Sequence, residues 1–254
     1  MALMIESNRN HTSNQDRKTR ILLKIIGVYS VLFVSFLNIF VLGEGTPDER
    51  AIILMADGLI LIWIIIGGIF TPKIRDWIVP LVKKNKMGWK LRFILFCTLL
   101  VLIEEAITTT MTNLAPLFGS TPEAAHITAS TNYLTVVAFH SAVIIAPMFI
   151  AWSWILARWK FTPLQVMLLF GITGSIAEAT VSPPNIFGGF WVFVYGLMIY
   201  VPACTIPDER DAILPRWWHF PMAVLLPLIF VIPFVPPIIW IRNYFGIELL
   251  PDHI

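Results

Sequence analysis

Five ionisable side chains fall inside long apolar runs of a 254-residue chain: Asp57, Glu104, Glu105, His140 and Glu178. Charged groups at membrane depth are costly and normally face a bundle interior or a water-filled cavity. Carboxylates beside an imidazole support two chemistries. They can activate water as a general base, or hold a divalent metal such as Zn that lowers the pKa of bound water. No lysine or arginine falls in the same layer, so the four acids have no protein cation to balance them. They must share protons, as close carboxyls do, or surround a bound cation.

The runs that carry these groups read as seven spans, roughly 21–42, 51–70, 91–114, 132–156, 163–181, 186–204 and 218–240. Helical rise places Asp57, Glu104, His140 and Glu178 each about 8–12 Å below the outer edge of its span. They therefore form one layer in the outer half of the membrane. On the third span Glu105, Thr108, Thr109, Thr112 and Asn113 follow three- and four-residue steps and form a polar stripe. On the fifth, Gly171, Gly174, Ser175, Glu178 and Ser182 share a face whose small residues admit a neighbouring helix. On the fourth, Tyr133 and His140 are seven apart on one face of a continuous helix. The expected roles follow. Glu105 and His140 are the catalytic pair, and Glu104, Glu178 and Asp57 are metal ligands or proton partners. Thr108, Thr109, Thr112, Asn113, Tyr133 and Ser175 contact substrate. His126, in an outer loop, is a second imidazole that could cap the site.

Composition agrees with a membrane setting. The chain is 57% hydrophobic and only 13% charged, with a mean hydropathy of +0.77. A soluble domain carries about a quarter charged residues. This balance excludes disorder, a coiled coil and an ordinary soluble enzyme. The expected fold is all-α: a polytopic transmembrane helix bundle in the cell membrane, since each apolar run is long enough to cross as a helix. Residues 1–20 form a polar tail without an apolar h-region, so no cleavable signal peptide is expected. Residues 21–241 form the membrane domain and 242–254 a short external tail. Within the domain, Thr71-Pro72 opens an amphipathic segment, about 72–86, suited to the membrane interface. Thr46-Pro47-Asp48-Glu49 and Thr162-Pro163-Leu164-Gln165 are helix-start signatures, each a capping box with proline at the first helical position. Pro221, Pro227, Pro233, Pro236 and Pro237 mark the seventh span as one that two half-helices could build. Trp217, Trp218 and His219 at its start read as an interfacial anchor. Cys97 and Cys204 are too few for a disulfide framework and read as packing residues.

Sixteen of the 18 lysines and arginines fall on one side of this seven-span arrangement, and only Arg50 and Arg242 on the other. The basic side is cytoplasmic by the positive-inside rule. The N-terminus is then inside, the C-terminus outside, and the Asn10-His11-Thr12 sequon on the side that is not glycosylated. The basic surface faces anionic lipid, and no soluble basic module exists for nucleic acid.

Three functions fit. The first is a membrane hydrolase or hydratase acting on a lipophilic or membrane-peptide substrate. The second is a cation- or proton-coupled transporter, because uncompensated intramembrane acids also make ion sites. The third is a non-catalytic membrane subunit. A retinal protein is not expected, because the seventh span has no lysine for a Schiff base.

The Glu104-Glu105 pair followed by His140 distantly resembles the CAAX-protease and bacteriocin-processing membrane family, in which a Glu-Glu pair and later histidines activate water. That resemblance implies a water-activating role for these three residues and covers the third and fourth spans only. Ala106 to Thr110 lack the arginine expected after the pair, and Val136 stands where phenylalanine is expected. Glu178 and Asn185 are the nearest polar residues to a final His-x-x-x-Asn motif, which is absent.

Overall fold

The computed structural model describes residues 2–250, with side chains from Gln15 onward. The side chains of the sequon at Asn10, and the last four residues, lie outside these. Helix α1 (Ala2–Glu44) is followed by α2 (Pro47–Leu59), a π-helical stretch (Ile60–Ile66) and α3 (Gly67–Lys84). Next come α4 (Trp89–Asn113), a 3-10 turn (Ala115–Phe118), α5 (Tyr133–Phe139) and α6 (Ser141–Arg158). Helix α7 (Pro163–Val181), a second 3-10 turn (Pro183–Phe187) and α8 (Trp191–Ala203) follow. The chain ends with α9 (His219–Val231), a short 3-10 turn (Ile232–Phe234) and α10 (Val235–Tyr244). Extended pairing among the described residues is limited to one isolated bridge, Trp159 with Ile213.

Among the described residues, five helical stretches are long and apolar enough to cross a membrane: Gln15–Glu44, Pro47–Lys84, Ser141–Arg158, Pro163–Val181 and His219–Tyr244. The chain is therefore an all-α, multi-span membrane protein. Helix α4 runs 25 residues among them and packs on α2, α5, α6 and α8. Helix α8 has 13 residues, a rise of about 20 Å against a hydrocarbon core of about 30 Å.

Local chemistry explains the helix starts. The Thr46 hydroxyl accepts from the Glu49 amide at 3.3 Å and the Glu49 carboxylate accepts from the Thr46 amide at 2.7 Å. Thr162 and Gln165 repeat the reciprocal pair at 3.3 and 3.0 Å. Both boxes satisfy amides that the first helical turn leaves without partners.

Two segments differ from the simplest reading of the sequence, and the last span takes the two-piece form that its prolines allow. Thr71-Pro72 does not open a new helix; both residues lie inside the continuous stretch Pro47–Lys84. The Thr71 hydroxyl returns to the Gly67 carbonyl at 2.8 Å, a local partner next to a proline that lacks an amide hydrogen. The run 132–156 is not one helix: it breaks at His140, whose φ of −134° and ψ of −88° are non-helical. The break separates the short α5, held by the Asn132 cap, from α6, packed along α4 and α9. The last span consists of two pieces, α9 and α10, joined by the turn that contains Pro233.

The main core lies at the crossing of α4, α6, α7 and α8. Phe93, Cys97, Val101, Phe149, Trp152, Ile155 and Phe170 are sealed there. Helices α7 and α8 approach most closely, because a β-carbon at Gly171 would meet the Val192 carbonyl at 2.3 Å. At Gly174 it would meet the Tyr195 ring at 2.0 Å. Small residues at such crossings let backbones and large partners approach without loss of packing. Cys97 and Cys204 are both free thiols, as packing residues should be. His219 is buried: its Nδ1 accepts from the Arg216 amide at 2.6 Å and its ring lies 4.6 Å from that of Trp159. Below the acids, the apolar plug of Phe93, Cys97 and Val101 against α6 and α7 fills the bundle.

Candidate functional site

Helix α4 supplies most of the polar layer, and its threonines divide the work. The Thr108 hydroxyl donates toward the Glu105 carbonyl and carboxylate, at 3.1 and 3.3 Å. A helical threonine commonly returns its hydroxyl to the preceding turn. Thr112 Oγ1 accepts from the Ile127 amide at 3.2 Å. Asn113 donates to the Thr131 carbonyl at 3.0 Å. These two residues hold the outer loop against the helix end. Tyr133 donates to the Leu102 carbonyl at 3.0 Å and ties α5 to α4. Thr109 Oγ1 is buried with no protein partner among the described residues. It lies one turn beyond Glu105, on the same side of the helix.

The helix break brings a second element to Glu105. His140 Nδ1 lies 2.8 Å from Ser141 Oγ, and Ser141 is within hydrogen-bonding reach of the Glu105 carboxyl. His140, Ser141, Glu105 and Thr108 therefore form a continuous polar chain across α4 and the α5–α6 junction.

A third element comes from α7 and α8. Tyr195 donates to Glu178 Oε1 at 2.5 Å. Gly174, one turn before Glu178, leaves room for the Tyr195 ring. Glu104 interacts electrostatically with Glu105 and Glu178, and Tyr195 with all three glutamates. Glu104 and Glu105 are each 5% exposed, while Glu178 is partly exposed.

The remaining expected residues have other attachments. Asp57 accepts from Asn38 Nδ2 at 3.0 Å, which ties α2 to α1 rather than to the glutamates. Ser175 donates to the Gly171 carbonyl of its own helix at 3.0 Å. His126 Nδ1 lies 2.9 Å from the Pro122 carbonyl in the outer loop. Among the described residues no group of three or more His, Cys, Asp or Glu side chains is arranged to hold a metal ion. That includes the expected set of Glu104, Glu178 and Asp57.

Two members of the network are absent from the sequence-level expectation. Ser141 is marked only by its adjacency to His140. Tyr195 is a hydroxyl-bearing ring inside an otherwise apolar run, facing a glycine stripe on another helix. Neither signal identifies a partner without the packing.

The fold defines a multi-span helical membrane protein with a buried polar network where α4, α7 and α8 meet the α5–α6 junction. No protein-family model, curated protein or solved structure matches the chain.

Proposed function

We propose that the protein is a membrane cation–proton exchanger in which Glu104, Glu105 and Glu178 carry the protons; in the arrangement of the described residues they do not encircle a metal ion, which is the proton-loaded form of the site. The observation that carries this reading is the set of three mutually interacting carboxyls with no lysine or arginine in their layer. The Arg75–Asp76 ion pair, at 2.7 Å, lies away from these acids on α3. A buried acidic set at this depth is neutral only with protons bound or with a cation bound, since isolated charges there are costly. Binding of one therefore releases the other.

Ser141 supports proton movement rather than nucleophilic attack. A hydroxyl has one hydrogen to donate. If Ser141 donates it to Glu105, it accepts from His140, and a proton passes along the chain without a new covalent bond. The break at His140 also favours transport, because interrupted helices build midplane ion sites in transporters. The apolar plug around Phe93, Cys97 and Val101 then represents closure toward the N-terminal side of α4.

The experiment uses purified protein in proteoliposomes with an acid interior and an entrapped pH dye. Adding Na+, K+, Li+ or tetraethylammonium outside should dissipate the gradient, and Glu105→Gln should abolish the response. No response to any cation, with the protein intact, overturns exchange.

A second reading, a membrane hydrolase or hydratase, is favoured by the buried, unpartnered Thr109 hydroxyl beside Glu105. Such a group suits a substrate oxygen. In that reading Glu105 and His140 activate water on a lipophilic substrate. Turnover of a labelled membrane-lipid extract that Glu105→Gln abolishes is the outcome that selects it.

A further inference from the structure

Residues 17–24 of α1 carry a cationic face that neither reading uses. Arg17, Arg20 and Lys24 are exposed, while Thr19 and Leu23 on the opposite side of the same turns are buried. Leu23 packs with Leu168 and Val192, and Gln165 donates to Gln15 at 3.2 Å. These contacts hold the turns against α7 and hold the cationic face outward. An open groove of about 610 Å³ runs along Asp16, Arg17, Arg20, Ile21 and Lys24. Asp16 is the one acid in it, so the lining carries a net charge of about +2 at neutral pH.

The same side of α1 turns apolar immediately below. Ile21, Ile25, Val28 and Leu32 are 50%, 60%, 62% and 65% exposed. Their steps of four, three and four residues continue the face begun by Arg17 and Lys24. Arg17 and Lys24 are separated by about 10 Å along the axis, the scale of a lipid headgroup with its glycerol backbone. A cationic cradle directly above an apolar stripe matches an amphiphile with an anionic head.

We propose that this groove binds an anionic phospholipid, with its phosphate among Arg17, Arg20 and Lys24 and an acyl chain along Ile21, Ile25, Val28 and Leu32. Basic clusters at a membrane-helix end attract anionic lipid, and here the Gln15–Gln165 contact makes the cradle a defined position. A free phosphate would use the cations but not the stripe.

The test uses the full-length protein in nanodiscs of equal phosphatidylglycerol and phosphatidylcholine. It is then released into detergent and read by native mass spectrometry for retained lipid. The wild type should retain phosphatidylglycerol over phosphatidylcholine. The variant R17Q/R20Q/K24Q should lose that preference by roughly tenfold, and I25S/V28S should retain less phosphatidylglycerol than the wild type while all the charges remain. Excess inorganic phosphate should not displace the retained lipid. A control, K84Q/K86Q, removes two basic charges at and just beyond the end of α3 and should keep the preference. Equal loss in the control shows general surface charge and overturns the proposal. Displacement by phosphate, or full retention in I25S/V28S, reduces the groove to an anion site and overturns it as well.

Discussion

Ser141 Oγ lies 2.8 Å from His140 Nδ1 and within hydrogen-bonding reach of the Glu105 carboxyl, so one hydroxyl joins the imidazole of a helix break to a buried acid of another helix. Removing that hydroxyl leaves His140 and Glu105 in place without their link. Ser141→Ala should reduce cation-driven proton release at least tenfold while changing thermal stability by about 1 kcal/mol, the worth of one ordinary hydrogen bond. Ser141→Thr, which keeps the hydroxyl, should restore part of the activity. Unchanged exchange in Ser141→Ala would remove Ser141 from the pathway.

The fit of Tyr195 beside Gly174 makes a second expectation. A β-carbon at position 174 would lie 2.0 Å from the Tyr195 ring. Gly174→Ala should displace the ring from Glu178 and destabilise the protein by about 1–3 kcal/mol, the usual cost of overpacking. Thermal unfolding in detergent measures it. A Tyr195→Phe variant separates the two effects, because it removes the hydroxyl donated to Glu178 and keeps the packing.

The apolar plug should dominate stability. Trp152 and Phe170 are fully buried, with ring centroids 6.5 Å apart. Phe170→Ala should cost about 3–5 kcal/mol, seen as a large fall in the unfolding midpoint in detergent. A change near zero would mean that the bundle repacks around the cavity.

The capping box at the start of α2 is the place for a pH effect. Hydrogen bonds from the Thr46 amide and hydroxyl hold the Glu49 carboxyl below its ordinary value of 4.5. A depressed acid pKa contributes stability above the unfolded-state value and loses it as pH falls through the folded-state value. The wild type should therefore exceed Glu49→Gln in unfolding midpoint at pH 7. The gap should close as the pH drops below the ordinary carboxylate range. A gap that persists at low pH would assign the effect to hydrogen-bond geometry instead of charge.

The charge asymmetry sets a topological expectation. If the chain crosses seven times, sixteen of its 18 lysines and arginines lie on one side, and the positive-inside rule would then put the N-terminus in the cytoplasm and the C-terminus outside. Reporter fusions at the two ends should give opposite sides. Two cytoplasmic signals would mean an even number of crossings, with the 13-residue α8 the first segment to reconsider.

The sequence by itself determined the class of this protein and the helix starts at Pro47 and Pro163. Long apolar runs exclude a soluble core, and the boxes at Thr46 and Thr162 depend on partners three residues away. Both are local, so one-dimensional spacing contains them. It also placed Glu104, Glu105, Glu178 and His140 in runs that had to share the membrane. Which of them meet was decided by tertiary structure alone. Helix rotation follows from packing across the bundle, as Gly174 against Tyr195 illustrates, and no spacing rule supplies it. That rotation pairs Glu178 with Tyr195 and turns Asp57 toward Asn38, although depth had grouped both acids with the α4 pair. The break at His140 has the same origin. The run 132–156 reads as one continuous apolar helix. The Asn132 cap and the contacts of α6 with α4 and α9 hold its two parts separately, and Ser141 becomes a link only at the junction between them.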